Sequence, residues 1–266
     1  MKKDNYSIID IENLTHLAHQ NREDYQINEP FPHATFDEVY SPQILDAVIE
    51  EFHNSQHSWR DFDTKYEKKS QQCDERLLGP TTRQLIHNLN SSLFLNFLEE
   101  LTGITGLIPD PYLVGGGLHK ISRGGKLGIH VDFNKHKRMH VFRRINIIIY
   151  LNKDWKEEYG GHLELWDKQT SKSVKKILPV FNRMAIFNTT SKSFHGHPEP
   201  LACPEEMNRM SLALYYYTAN EPGNRRKIAH STLFLNDRNE ARSLGHQSLI
   251  KRLLKRCRRF LASTKS

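Results

Sequence analysis

Three side chains in this 266-residue sequence have the types and spacing of metal ligands. His130 and Asp132 lie one residue apart in the segment KLGIHVD. In a β-strand, residues i and i+2 point to the same face, so both side chains can project towards one point. A second histidine must then come from a distant segment, and SFHGHPEP offers two, His195 and His197. Two histidines and one carboxylate form a ligand set typical of non-haem Fe(II), with open positions for substrate and oxygen.

The position of the distal ligand is open between two histidines. Pro198 directly follows His197 and indicates that the strand has ended there, which favours His195 as the ligand and leaves His197 as the alternative. Two further histidines, His136 and His140, lie in the segment FNKHKRMH. We expect these two on a surface loop, away from a metal site.

Hydrophobic periodicity divides the chain into a helical part and a β-rich part. Helices are predicted over residues 41–53, 81–88 and 91–101, where Ser41 with Pro42 marks the first helix start and Gly103 the last helix end. From residue 112 onwards, short segments rich in β-branched and aromatic residues alternate with turn residues, which predicts strands. Seven such segments occur: YLVGGGLHKI, KLGIHVD, RINIIIYLN, GHLELWD, SVKKILPV, RMAIFNT and RMSLALYYYT. This spacing is typical of a β-sandwich or barrel, the jelly roll included.

A basic amphipathic helix is predicted near the end of the sequence, over residues 247–262. One face is apolar and the opposite face carries lysine and arginine. Such a helix either packs on the core with a solvated basic face or docks an acidic partner, an anionic lipid or a nucleic acid. By contrast, residues 62–79 are predicted to form a loop without features of a specificity pocket.

Composition limits the class of protein. The chain is 37% hydrophobic, which is enough to fill a core, and its net charge of +7 permits an anionic ligand or partner without indicating nucleic acid. The three cysteines, Cys73, Cys203 and Cys257, show no CxxC spacing, so a disulfide framework or structural zinc site is not expected. Neither a signal peptide nor an apolar run of bilayer length is visible, which predicts a cytoplasmic protein.

These motifs together resemble the Fe(II)- and 2-oxoglutarate-dependent oxygenases, and within them the prolyl 4-hydroxylase-like group. That family carries an H-x-D on one strand, a distal histidine well downstream, and a basic residue on the following strand. Here Arg209 opens the strand RMSLALYYYT, and YLNKDWKEEYGGHLELW is similar to the family's stretch between the motifs. The resemblance covers residues 112–218.

The resemblance implies an α+β fold with a double-stranded β-helix (jelly-roll, cupin-like) core, an N-terminal helical layer and the C-terminal basic helix. We expect a single oxygenase domain over residues 1–266. Its parts would be a helical support over 29–110, the jelly-roll catalytic core over 112–218, and a basic extension over 219–266.

The resemblance also implies roles for named residues. His130, Asp132 and His195 would hold Fe(II). Arg209 would bind the far carboxylate of the co-substrate 2-oxoglutarate, with Tyr150 and Asn146 as further contacts on the strand RINIIIYLN. Oxygen is the second co-substrate, and ascorbate is a candidate additional cofactor.

The expected reaction is hydroxylation of a prolyl or other amino-acid residue in a peptide or protein, with release of succinate and carbon dioxide. Hydroxylation of a small molecule in a biosynthetic pathway is the alternative, and a non-catalytic β-barrel binding protein is a further one. A nucleic-acid demethylase is not favoured, because such relatives carry an arginine where this chain has Tyr215. His119 and Lys120 lie near where relatives place a tyrosine that touches the co-substrate, and this chain lacks that tyrosine.

Overall fold

The computed structural model describes residues 10–54, 59–169, 171–220 and 229–235. The basic helix predicted over 247–262, with the possible acidic partner inferred from it, lies outside the described residues. Within these ranges, no helix is both long and apolar enough to cross a membrane.

The described residues contain four α-helices: α1 (Ile11–Ile27), α2 (Pro42–Asn54), α3 (Pro80–Leu89) and α4 (Ser92–Thr102). The three predicted helices correspond to α2, α3 and α4. Helix α4 begins where the Ser91 hydroxyl accepts a hydrogen bond from the amide of Phe94, and it ends at Gly103, whose φ of 69° is left-handed. Helix α1 was not predicted, because its buried residues are few and widely spaced in a polar segment: Leu14, Ala18 and Tyr25.

Thirteen β-strands occur in the described part of the chain, and all their pairings are antiparallel. In chain order they are β1 (His33–Asp37), β2 (Arg60–Asp63), β3 (Glu67–Gln72), β4 (Ile108–Pro109), β5 (Gly117–Ser122), β6 (Lys126–Val131), β7 (Phe142–Tyr150), β8 (Leu163–Asp167), β9 (Lys172–Ile177), β10 (Arg183–Asn188), β11 (Phe194–His197), β12 (Asn208–Thr218) and β13 (Leu233–Phe234). The seven predicted strands correspond to β5 to β10 and β12.

The strands form one continuous sheet in the order β1-β10-β7-β12-β5-β3-β6-β11-β8-β9. Strand β13 pairs with β6, β2 with β3, and β4 with β12. This antiparallel, barrel-like sheet with helices beside it is the double-stranded β-helix that the resemblance implied, and the predicted fold class is confirmed for the described residues. The principal apolar core joins helices to strands through buried side chains, among them Leu45, Leu85, Leu98, Ile147 and Leu212.

The prediction of a loop over residues 62–79 is wrong for most of that segment. Residues 60–72 form the hairpin β2–β3, and β3 also pairs with β5 and β6 at the centre of the sheet. The segment EKKSQQ is polar and lacks apolar alternation, so its sequence does not indicate a strand. Backbone pairing with two neighbouring strands, which the local sequence does not encode, holds it in place.

Candidate metal centre and adjoining cavity

Antiparallel pairing of β6 and β11 brings the three predicted ligands together. His195 lies directly opposite His130 in the ladder, and Asp132 directly follows β6. The Nε2 atom of His130 is 3.5 Å from Asp132 Oδ1, and the Nε2 atom of His195 is 3.4 Å from Asp132 Oδ2. One ligand atom from each residue lies within 4.8 Å of the other two. The strand parity predicted for His130 and Asp132 therefore holds.

Backbone carbonyls fix the orientation of both imidazole rings. His130 Nδ1 lies 2.9 Å from the Gly128 carbonyl oxygen, and His195 Nδ1 lies 3.0 Å from that of Ser193. Since a carbonyl only accepts, each Nδ1 carries the proton and each Nε2 keeps a free lone pair directed at the cluster. Burial and the neighbouring His195 lower the pKa of His130, which favours the neutral ring that metal binding needs. This donor set fits a ferrous ion.

His197, the alternative distal ligand, lies outside the cluster. A register shift between His195 and His197 interrupts the pairing of β11 with β6, and β11 ends at His197 as Pro198 predicts. The His197 ring is buried, and neither ring nitrogen has a hydrogen-bond partner among the described residues. Its burial, followed by the charge of Arg209, lowers its pKa well below the usual range.

Two buried side chains of β7 hold the Asp132 carboxylate. Asn146 Nδ2 donates to Asp132 Oδ2 at 2.8 Å, and Arg143 Nη2 lies 3.1 Å from the same oxygen, an ion pair not aligned as a hydrogen bond. Arg143 Nε also donates to Asn146 Oδ1 at 2.8 Å, and its guanidinium stacks over the Tyr215 ring at 3.4 Å. Burial alone would raise the pKa of Asp132, but Arg143, His195 and His130 hold it well below its usual range.

Arg143 was missed in the sequence, and a β-bulge is the reason. Tyr216 pairs with Ile145 while Tyr217 pairs with Arg143, so Arg144 is an extra residue in β7. The bulge reverses the alternation of faces and turns Arg143 towards Asn146 and the cavity. Simple period-two alternation would have placed Arg143 on the opposite face, with Ile145.

Arg209, predicted to bind the co-substrate, is a buried cation in the cavity wall. Its Nε donates to the Gly161 carbonyl at 2.7 Å and its Nη2 lies 3.4 Å from the Tyr150 hydroxyl, while none of the described carboxylates pairs with it. Gly161 permits this approach: a Cβ there would lie 2.6 Å from Leu201 Cδ2 and 2.9 Å from Arg209 Cδ. A buried guanidinium without a counter-ion suits an anionic ligand.

The two other predicted co-substrate contacts differ in position. Asn146 lines the cavity, where it holds Asp132 as described above. Tyr150 is fully buried among apolar side chains and touches the cavity residue Arg209 through its hydroxyl. Direct contact of either residue with the co-substrate stays a prediction.

A cavity of about 580 Å³ opens beside the three candidate ligands. Its walls include Arg60, Phe62, Lys69 and Gln71 of the β2–β3 hairpin, and Thr232 with Phe234 of the segment around β13. The Phe234 ring stacks on Tyr66 at 4.7 Å and lies 5.6 Å from the His130 ring. Residues 62–79, in which the sequence shows no feature of a specificity pocket, therefore supply part of the cavity wall.

Two further histidines contribute to this region. His119 lines the cavity with an unpartnered, buried Nε2, and desolvation followed by the charge of Lys69 lowers its pKa to about 3. His136, expected on a surface loop, is instead buried, with Nε2 3.4 Å from Asp110 Oδ1 and its ring edge-on to Tyr217. His140 is exposed as expected.

Comparison with known proteins finds a family model that matches the β-rich part of the chain. The family model described as the 2OG-Fe(II) oxygenase superfamily matches residues 116–217. Prolyl 3-hydroxylase OGFOD1 of Mus musculus is 28% identical over an alignment of 216 residues that covers 76% of this chain. The aligned part is 37% of the mouse protein, so the chain spans little more than a third of that relative's length.

Solved structures share the fold at low sequence identity. A Trichoplax adhaerens prolyl hydroxylase, solved with a peptide fragment of the hypoxia-inducible factor oxygen degradation domain, is 17% identical with a TM-score of 0.56, covering 78% of this chain and 91% of that one. A prolyl-4-hydroxylase of Pseudomonas putida is 14% identical with a TM-score of 0.54, covering 76% of this chain and 98% of that one.

Proposed function

We propose that this chain is an Fe(II)- and 2-oxoglutarate-dependent dioxygenase, a proposal supported by the match of residues 116–217 to the model of the 2OG-Fe(II) oxygenase superfamily. Its reaction is the hydroxylation of a prolyl or other amino-acid residue in a peptide or protein. The observation that carries this proposal is the pairing of two features in one cavity. A cluster of two histidines and one carboxylate lies in the wall of the same cavity as a buried arginine without a carboxylate partner.

His130, Asp132 and His195 hold the ferrous ion. Iron bound there supplies the activation of O₂ that is coupled to conversion of 2-oxoglutarate into succinate and carbon dioxide. The chain's own task is to present neutral imidazoles and an ionised carboxylate. The carbonyls behind both rings, and Arg143 with Asn146 behind the carboxylate, provide this arrangement.

Arg209 binds the far carboxylate of 2-oxoglutarate. Arg209 Nε donates to the Gly161 carbonyl, and Arg209 Nη2 donates to the Tyr150 hydroxyl. These two hydrogen bonds fix the plane of the guanidinium, and its remaining N–H groups can donate to the ligand. Tyr150 acts either through Arg209 or by direct contact with that carboxylate. Burial lowers the pKa of the Arg209 guanidinium, and an anionic ligand relieves this unfavourable desolvation.

The choice of a peptidyl substrate rests on relatives. The mouse relative is a prolyl 3-hydroxylase, and the Trichoplax structure with the same fold holds a peptide. A cavity of about 580 Å³ is large enough for one amino-acid side chain beside 2-oxoglutarate.

The test is succinate formation by the full chain with Fe(II), 2-oxoglutarate and O₂, with and without ascorbate. Proline-containing peptides and small metabolites are screened together, and a gain of one oxygen is located by mass spectrometry. His130→Ala is the blank, and His16→Ala, an exposed histidine of α1, is the matched control that keeps full turnover. No succinate with any substrate, together with no Fe(II) binding, would refute the proposal.

Domain organisation and location complete the proposal. Residues 112–218 are the catalytic core, 29–110 the support and 219–266 an extension of a single domain over 1–266, in the cytoplasm. Cys73 and Cys203 are both free thiols, which suits a reducing compartment. Limited proteolysis tests the domain bounds, and cell fractionation tests the location.

A further inference from the structure

A second concavity, which we call the basic groove, opens beside the cavity. It has a volume of about 620 Å³ and shares Val114, Phe133 and Thr232 with the cavity. Phe133 directly follows Asp132, so the groove meets the cavity next to a candidate metal ligand. A chain that places one residue near the metal can therefore continue into the groove.

The groove carries positive charge and no described negative charge. Its walls include Lys135, Lys137 and Arg138, together with His140 and His230, and no Asp or Glu is among the described residues that line it. None of the described carboxylates forms an ion pair with Lys135, Lys137 or Arg138. The three cations are thus not neutralised by the described part of the chain.

The walls of the groove are held in fixed positions. The amide of His230 donates to Asn134 Oδ1 at 2.8 Å, which ties the segment around β13 to the loop after β6. The Arg138 guanidinium lies 3.8 Å over the Tyr112 ring, and the Lys135 ammonium lies 5.3 Å over the Phe142 ring. These contacts orient Arg138 and Lys135 before a ligand arrives, which lowers the entropic cost of binding.

We propose that the basic groove binds an acidic segment of the peptide substrate, adjacent to the residue that enters the cavity. The inference rests on the proposed function and adds a substrate class to it. Carboxylate side chains of an extended peptide match the unpaired cations. A single-stranded nucleic acid would also need several free aromatic faces for base stacking, and the described lining offers one phenyl ring, that of Phe133, with the Arg143 guanidinium over one face at 4.7 Å.

The test measures binding rather than turnover. Fluorescein-labelled peptides carry a central proline and a block of Asp and Glu on its amino-terminal or carboxy-terminal side, and matched peptides carry Lys or Ser-Gly blocks. Anisotropy is recorded with the full chain at about 50 mM and about 300 mM salt, where screening differs strongly. We expect one acidic peptide to bind about tenfold more tightly than the Ser-Gly peptide at low salt, and to lose this advantage at high salt.

Charge reversal locates the binding surface. The double variant Lys137→Glu/Arg138→Glu should lower the affinity for the acidic peptide about tenfold. The milder variant Lys137→Gln/Arg138→Gln should lower it by a smaller factor. The control Lys172→Glu/Lys175→Glu makes the same charge change at exposed positions of β9 outside the groove, and leaves binding within about twofold. Thermal melting followed by circular dichroism confirms that each variant is folded.

Either of two peptide results would overturn the inference: equal affinity for acidic and Ser-Gly peptides, or binding of the acidic peptide that is insensitive to both groove variants. Tighter, groove-dependent binding of a labelled single-stranded oligonucleotide would also overturn it.

Failure of the proposed function would give a different pattern of results. Groove-dependent binding of acidic peptides without hydroxylation of any peptide keeps the groove and rejects the reaction, whereas hydroxylation without acidic preference keeps the reaction and rejects the groove.

Discussion

Replacing Arg143 by glutamine should weaken metal binding without unfolding the protein. Arg143 is not a candidate metal ligand. It acts on the metal centre through its ion pair with Asp132, in which Arg143 Nη2 lies 3.1 Å from Asp132 Oδ2. Its loss removes the cation beside that buried carboxylate and frees the Asn146 amide oxygen. Asp132 then becomes both less well oriented and easier to protonate.

The size of the effect follows from the geometry. At 3.1 Å and an effective dielectric constant near 20, the attraction between Arg143 and Asp132 is roughly 5 kcal/mol. Desolvation of both groups offsets much of this attraction. Loss of a residue that supports a metal ligand costs about 10- to 100-fold in metal affinity. This range corresponds to about 1.4–2.8 kcal/mol, which is within the Coulomb limit.

The assay is calorimetric titration of the apoprotein with Mn(II), a redox-stable substitute for Fe(II), between about pH 5 and pH 7.5. Arg143 is one of the groups that hold the pKa of Asp132 below its usual range, so in the variant that pKa is higher. Protons then compete with the metal at a higher pH, and the deficit of Arg143→Gln relative to wild type grows as the pH falls.

Arg144→Gln is the matched control. Arg144 is the neighbouring residue in the same strand, and its guanidinium bonds to the Thr218 hydroxyl rather than to the metal centre. The control should bind Mn(II) within about twofold of wild type, since it loses the same charge at greater distance. An affinity of Arg143→Gln equal to that of Arg144→Gln at every pH would refute the role assigned to Arg143.

Three further outcomes are expected. His195→Ala should abolish the d–d absorption of bound Co(II) in the visible range, whereas His197→Ala should retain it; loss in both variants would contradict the choice of His195. Arg209→Gln should raise the dissociation constant for 2-oxoglutarate about 100-fold in calorimetry with Mn(II) present while leaving Mn(II) affinity unchanged, since the ligand's carboxylate loses its cation. Glu51→Gln should lower the free energy of unfolding in urea by about 1–2 kcal/mol at pH 7, because its carboxylate accepts from the amides of Thr81 and Thr82 at the start of α3. Burial opposes ionisation of Glu51, but these hydrogen bonds depress its pKa in the folded protein. Its contribution is therefore present at neutral pH and lost as the pH falls through that pKa, so the difference between the two proteins should shrink as the solution is acidified.

The candidate ligands could be predicted because strand parity is a local property. His130 and Asp132 share a face by spacing alone, and His195 lies beside another predicted strand. Arg143 could not be predicted in the same way, since the extra residue at Arg144 is visible only in the register with β12. An isolated sequence gives no indication of where one strand of a pair carries one residue more than its neighbour.

The residues of the cavity walls were harder to predict from the sequence than the candidate metal ligands. The hairpin β2–β3 is polar, and its position depends on pairing with β5 and β6. His136 was misplaced for a related reason, because it lies in a charged segment but packs against Tyr217 and Asp110 from distant parts of the chain. Short polar segments take their structure from neighbours that are remote in sequence, and hydrophobic periodicity does not report on such contacts.

The candidate metal centre and part of the cavity wall beside it come from separate stretches of this chain. The residues matched by the oxygenase family run from 116 to 217 and contain all three candidate ligands and Arg209. Part of the cavity wall comes from outside that stretch, from the β2–β3 hairpin before it and from Thr232 and Phe234 after it. Substitutions in these flanking walls leave the three candidate ligands and Arg209 in the sequence, and of the flanking residues Phe234 also pairs with His130 across β13 and β6. Exchanging the two flanking segments between relatives is therefore a direct way to alter the cavity wall while all three candidate ligands and Arg209 are kept.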